Sequence, residues 1–217
     1  LRCLVGSEMC IRDRARALQA EIGAVNADGA KSVAEARKLV DSMSNKIDHA
    51  LGDIDSIRDA ESEIGQLQER IKALERVAPL GIPLDLMAGF DGVELFIAET
   101  SKSSKANAEF ADILSDIELQ AAKGVIAVAC RPSESAAVQI GLSALGAKPI
   151  QIPSGEGSAD KMIANAKSNI QTLEAKIDSA NKAVSQWSID NGRDLVVLLE
   201  HLESCLLYTS PSPRDIG

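Results

Sequence analysis

The sequence predicts an α+β chain in which two long helices bracket one small lobe of strands and short helices. Three observations predict it. Ile163, Ala166, Ile170, Leu173, Ile177, Ala180, Val184 and Trp187 recur at alternating three- and four-residue spacing, which lines them along one stripe of a helix. Val40, Met43, Ile47, Ala50, Ile54 and Ile57 keep the same rhythm, and after one skipped residue Ala60, Ile64, Leu67, Ile71, Leu74 and Ala78 continue it. Between the two patterned stretches lie short β-rich runs punctuated by Gly and Pro. An apolar stripe on one helix needs a cover, and the other stripe supplies it. The expected architecture is therefore a long antiparallel two-helix coiled coil bearing the lobe at its tip. Its seam is expected at Ile47, Ile54, Ile57, Ile64, Leu67, Ile71 and Leu74 against Ile163, Ile170, Leu173, Ile177, Val184 and Trp187. The skip near Ala60 and Glu61 predicts local overwinding.

The termini read differently from the interior. The tail CLLYTSPSPRD, Cys205–Asp215, back-translates to a transposon-type library adaptor, and the reverse complement of that DNA in another frame reads LVGSEMCIRDR, Leu4–Arg14. A secretory leader would need a longer apolar run than Leu1–Val5. Residues 1–14 and 205–217 are thus expected to be adaptor-derived, and 15–29 to be the end of a truncated upstream lobe. The remaining divisions expected are 30–78 and 158–204 for the two arms and 79–157 for the lobe.

Composition bounds the function. The chain has 23 Lys and Arg against 32 Asp and Glu, a formal charge of −9. Without Arg2, Arg12, Arg14 and Arg214, and without Glu8, Asp13 and Asp215, the interior keeps 19 bases against 29 acids. Cys130 is then the interior's one cysteine, which excludes an internal disulfide framework and fits a reducing compartment. Phosphate binding needs clustered Lys and Arg, and the chain offers neither a basic run nor an aromatic platform, so no nucleic-acid partner is expected. No stretch approaches the ~18–20 continuous apolar residues of a membrane span.

Along the chain, Ala15–Val25 reads as the end of a helix, and Asn26–Gly29 as a turn in which Asp28 caps the next helix. The first arm runs from about Ala30 to Val77, roughly 70 Å at the α-helical rise. It stops where Pro79 and Gly81-Ile-Pro83 remove donors and favour extended backbone. In the lobe, Val93–Glu99 reads as a strand, Ser104–Leu114 as a helix, and Ile117–Gln120 and Val125–Ala129 as a hairpin turning at Lys123-Gly124. A second helix places Ala136, Ala137, Ile140, Ala144 and Leu145 on one face and ends at Gly146. Pro149–Ile152 is the last strand. The order β-α-β-β-α-β predicts a ferredoxin-like lobe, a four-stranded antiparallel sheet with both helices on one face.

Residue types that carry chemistry point to structure here. Gly155-Glu-Gly157 lacks the Lys-Ser or Lys-Thr of a phosphate loop and holds a repelling carboxylate, so it reads as a loop ahead of a Ser158 N-cap. Asp53, Asp55 and Asp59 lack the glycine turn and terminal Glu of a calcium loop. His49 and His201 have no partners at ligand spacing, and Cys130 reads as a small buried hydrophobe. Trp187 continues the seam, after which Asp190-Asn-Gly192 is expected to loosen the helix. Leu195, Val196, Leu198, Leu199 and Leu202 then form an apolar face that must dock. No catalytic site, cofactor site or metal site is expected.

A family resemblance rests on particular runs. Leu74–Leu86 with Gly92–Ile97 resembles the hinge from first arm to head in the large membrane subunit of rotary V-type and archaeal-type ATPases, called subunit I or a. Gly124–Ala129, Leu145-Gly146, Pro149–Ile152, the second arm and Asn191–Glu200 resemble successive parts of its cytoplasmic half. The resemblance implies a distal lobe on a bent coiled coil, held by peripheral-stalk subunits at the cytoplasmic face of a membrane complex. The ion-translocating half would follow Ser204 and lies outside this chain. It also implies a non-catalytic stator role in proton or sodium transport coupled to ATP synthesis or hydrolysis. Two rivals are an arm with a globular tip from a chromosome-maintenance or repair ATPase, and a ligand-sensing ferredoxin-like domain with dimerisation helices.

Overall fold

The structure is a computed structural model that describes residues 2–23, 25, 33–87, 91–113 and 115–209. Four segments pass in order: helix α1 (Arg2–Ile22), helix α2 (Val33–Val77), a lobe of short elements, and helix α6 (Ala159–Thr209). Within the lobe come helix α3 (Leu84–Met87), strand β1 (Glu94–Glu99), helix α4 (Ala106–Glu109), strands β2 (Ile117–Ala122) and β3 (Val125–Cys130), helix α5 (Ser135–Ala144) and strand β4 (Lys148–Pro149). The chain is α+β, with long helices and a four-stranded antiparallel sheet in the order β2-β3-β1-β4. The Asp28 cap expected in 26–29 lies outside the described residues, as does the tail beyond Thr209.

Contacts divide the chain into two compact units, one of Glu63–Thr172 and one of Leu1–Ser62 with Leu173–Gly217. In the first, the sheet has two covered faces. Ile97, Val125 and Ala127 face a cluster with Ile71, Leu74 and Val77 of α2, Leu84 and Met87 of α3, and Ile163 and Ala166 of α6. Phe96, Ala98, Ile126, Val128 and Cys130 face the opposite way, onto Ala106 and Phe110 on one side and Val138 and Leu145 on the other. Alternation across the pleat explains this split. It also explains why β3 reads as an unbroken apolar run, since a central strand covered on both faces has no polar side to show.

Local chemistry sets the turns. Lys123 and Gly124 have φ of 47° and 87°, the pair of positive angles that a two-residue hairpin turn with the twist of its strands requires. Gly146, at φ 62°, ends α5 with its own amide bonded to Ser143 O and the Ala147 amide bonded to Leu142 O, both at 2.9 Å. That is the paired closure of a helix end in which orphan carbonyls are satisfied.

Four expectations are corrected. The helix expected over Ser104–Leu114 is broken into α4 flanked by 3-10 turns at Ser103–Lys105 and Ala111–Ile113, and Ala106 and Phe110 in it are buried. The last strand is Lys148–Pro149 rather than Pro149–Ile152. Pro149 stands opposite Ala98 and the Ile150 amide still donates to Ile97 O at 3.0 Å, but beyond it Ile150 and Ile152 pack on the cluster under the sheet. The buried stripe of α5 is Val138, Gly141 and Leu145, while Ile140 is 71% exposed. Finally, Asp190-Asn-Gly192 does not loosen α6, which is continuous. A Cβ on Gly192 would meet Val25 Cγ1 at 2.9 Å, so this glycine permits close approach of a neighbouring segment.

The second unit buries Ile11, Ala15 and Leu18 of α1, Met43, Ile47, Ala50 and Ile54 of α2, and Leu195, Leu198, Leu199 and Leu202 of α6 in one cluster. The apolar face at the end of α6 is therefore covered, by α1 and α2. Its rim carries ion pairs of Arg14 with Asp48 and Arg58 with Glu21, and Arg16 Nη2 reaches Glu203 Oε1 at 2.7 Å.

Candidate functional site

The seam residues fall into two groups and a remainder. Leu67, Ile71, Leu74, Ile163 and Ile170 share the cluster beneath the sheet. Ile47 and Ile54 share the second unit's cluster with Val184 and Trp187. Ile57, Ile64, Leu173 and Ile177 are half-buried and belong to neither. In the lobe-bearing unit, Lys167 Nζ lies 3.7 Å from Glu75 Oε1. In the other, Lys46 Nζ donates to Asn191 Oδ1 at 2.9 Å. The Trp187 indole nitrogen is buried with no hydrogen-bond partner among the described residues, and the ring packs against the second unit's cluster.

The loop of Gly155-Glu-Gly157 is occupied by the protein itself. The Gly157 amide donates to Asp85 Oδ1 at 2.9 Å, and its carbonyl accepts from the Leu84 amide at the same distance. Arg70 Nη2 holds Ser154 O at 3.0 Å. An amide that an anion would need already serves a carboxylate, so the loop is a clasp between α3 and the start of α6. A Cβ on Gly155 would lie 2.7 Å from Met162 Sδ and 3.4 Å from Leu84 Cδ1, so the loop backbone runs close against α3 and α6.

Cys130 is 3% exposed. Burial raises its thiol pKa above the ordinary value, the nearby Glu94 and Glu134 carboxylates raise it further, and a hydrogen bond with Ser135 acts the other way. At neutral pH the sulfur is a protonated core atom, the opposite of an activated nucleophile. His49 is exposed and His201 half-buried. Asp55 lies 3.6 Å from Arg58. Among the described residues no three His, Cys, Asp or Glu side chains gather as a metal would need.

A groove of about 460 Å³ in the lobe lies between β1 and α5, lined by Leu95, Phe96, Gln139, Leu142, Ile150 and Ile152 among others. Gln139 and Ser143 give it hydrogen-bonding groups, and no titratable side chain lines it. Such a groove offers contact area without an acid, base or nucleophile.

Thr100 is the one buried polar side chain among the described residues. Its hydroxyl donates to Leu145 O at 2.8 Å and accepts from the Lys102 amide at 3.1 Å, and its own amide donates to Gly124 O at 2.8 Å. One residue thereby ties three loops together at one end of the sheet. Its position just after a strand gave no sign of this in the sequence, because the partners come from remote turns.

No protein-family model matches the chain. The A-type ATP synthase subunit I of Halobacterium salinarum (strain ATCC 700922 / JCM 11081 / NRC-1) is 26% identical to it over 138 residues. The chain is similar to an A-type ATP synthase subunit I. The similarity covers 62% of the chain but 19% of that subunit I. The crystal structure of the cytoplasmic N-terminal domain of subunit I, homolog of subunit a, of V-ATPase aligns with 95% of this chain and 71% of its own, at 16% identity and a TM-score of 0.48. Among the described residues no helix is long and apolar enough to cross a membrane.

Proposed function

We propose that the chain is a non-catalytic stator part of a rotary V/A-type ATPase, linking peripheral stalks to the membrane sector. The observation that carries this reading is the 138-residue similarity to an A-type ATP synthase subunit I. It favours the stator over a chromosome-maintenance arm or a ligand sensor. In this reading α2 and α6 are the two arms of an antiparallel coiled coil, with seams at the positions named above. Two pairings within the units support it: α2 Glu75 lies beside α6 Lys167, and α2 Lys46 beside α6 Asn191, so higher numbers on one helix meet lower numbers on the other. The lobe is ferredoxin-like in this reading. The order β2-β3-β1-β4 with every neighbour antiparallel, and both α4 and α5 residues on one face, support that topology.

A stator asks for side chains that resist sliding, and the seam residues within each cluster supply them. Residues 1–14 and 205–217 take no part in the proposal, being read as adaptor-derived. The partners are the peripheral-stalk and other subunits of the rotary ATPase, at the cytoplasmic face of the membrane complex. The test is association of the chain with the paired stalk subunits of the same genome in a concentration series. Saturable binding is expected. Absence of binding, where a longer subunit carrying the same lobe does bind, would sink the stator role.

A further inference from the structure

Charge is segregated across the lobe. Register places Glu99, Val125, Ala122 and Lys148 at one end of the sheet and Glu94, Cys130 and Ile117 at the other. Four of the five bases between 91 and 149 lie at the first end: Lys102 and Lys105 after β1, Lys123 in the hairpin turn and Lys148 in β4. Glu99 is the acid beside them. At the far end Arg131 stands among Asp91, Glu94, Asp116, Glu118 and Glu134. All four lysines are exposed, and their side chains make no ion pair or hydrogen bond among the described residues.

The loops that carry them are held together. Thr100 bonds to the hairpin turn, to the end of α5 and to the Lys102 amide, and the Lys105 amide donates to Lys102 O at 2.8 Å. The backbone beneath the lysines is therefore pre-arranged, which lowers the ordering cost of binding. Four lysines against Glu99, with Glu109 the next acid after Lys105, leave this end of the lobe net positive, and an acidic partner complements that charge.

We infer that this end of the lobe is a docking surface for a carboxylate-rich segment of a partner protein. The size of the partner follows from screening. At physiological salt charges are felt over about 8 Å, so a compact acidic segment meets the four lysines alone. A membrane or a nucleic acid extends much further and meets the rest of a chain whose net charge is −9. Lysines without aromatic rings beside them also lack the stacking platform that single-stranded nucleic-acid binding employs. The inference rests on the stator reading for one point, that a stalk subunit supplies the segment.

The experiment uses the full chain, with Lys102→Glu, Lys105→Glu and Lys148→Glu combined so that the strained Lys123 turn is untouched. Lys38→Glu, Lys176→Glu and Lys182→Glu, also exposed, form the control, and melting curves check that both variants stay folded. Probes are the paired stalk subunits, a helix-forming Glu-rich peptide and phosphatidylserine vesicles. The lobe variant is expected to bind the stalk pair roughly tenfold more weakly at about 0.15 M salt, with a shallower salt dependence and the control unchanged. Equal binding by lobe variant and parent overturns the lysine surface while leaving the stator reading intact. If the stalk pair binds neither, the stator reading fails and the peptide decides: loss confined to the lobe variant supports the surface, and unsaturable or equal binding overturns it. Binding to vesicles tighter than to peptide overturns the choice of a protein partner.

Discussion

Gly141 shows how one residue sets the packing of the lobe. It lies on the buried stripe of α5, and a Cβ added there would press into the Phe110 ring, 2.9 Å from Cδ1 and closer still to Cε1. Two effects of Gly141→Ala oppose each other. Alanine gains about 1 kcal/mol in helix propensity, while overpacking a filled core costs about 1–3 kcal/mol. Phe110 is 1% exposed, so the ring has nowhere to retreat and the clash wins. The expected result is a net loss of up to about 2 kcal/mol in denaturant unfolding. Adding Phe110→Leu should recover part of it, giving a double variant less destabilised than the sum of the singles. Strict additivity would show that the ring is not what Gly141 accommodates.

At the scale of elements, the pairing of α2 with α6 near the lobe makes a direct prediction. Glu75 and Lys167 face each other at 3.7 Å, both more than half exposed, so the pair adds little to stability. Its value is as a ruler. A zero-length carbodiimide coupling should join Glu75 to Lys167, detected as a cross-linked peptide by mass spectrometry and lost in Glu75→Gln. A yield no higher than that of pairs from the far ends of the helices would contradict the contact. The two long helices were legible in advance because apolar residues at three- and four-residue spacing mark a helix face whatever covers it. The hairpin turn and the Gly146 helix end were legible for a similar reason, since both depend on local backbone sterics. What escaped was set by remote neighbours. Ile140 has the apolarity of a core residue but lies on the exposed side of α5, because Gly141, with no side chain to count, occupies the buried stripe against Phe110. Gly192 sits in a continuous helix for the same kind of reason, a neighbour at Val25. The Thr100 network and the lysine-bearing end could not be read either, because each assembles loops far apart in sequence.

The whole molecule is organised as two compact units that share α2 and α6, and the prediction at this scale concerns how independently they open. Leu74 and Leu198 are both 0% exposed, the first in the cluster beneath the sheet and the second in the cluster with α1. Each truncation to alanine is expected to cost about 2–5 kcal/mol. That far exceeds the few tenths of a kcal/mol by which single helical residues differ in propensity, so the shared helices are a weak route for passing the damage on. Seam residues nearest the division, Ile57, Ile64, Leu173 and Ile177, are only half-buried and sit outside both clusters. Leu198→Ala should therefore speed amide hydrogen exchange in 38–62 and 173–204, and Leu74→Ala should speed it in 63–172, each sparing the other's set. Local opening within separate cooperative blocks predicts this crossed pattern. Uniform acceleration along the chain in either variant would instead make the two units one cooperative body, and the division at Ser62 and Thr172 would then describe contacts without describing stability.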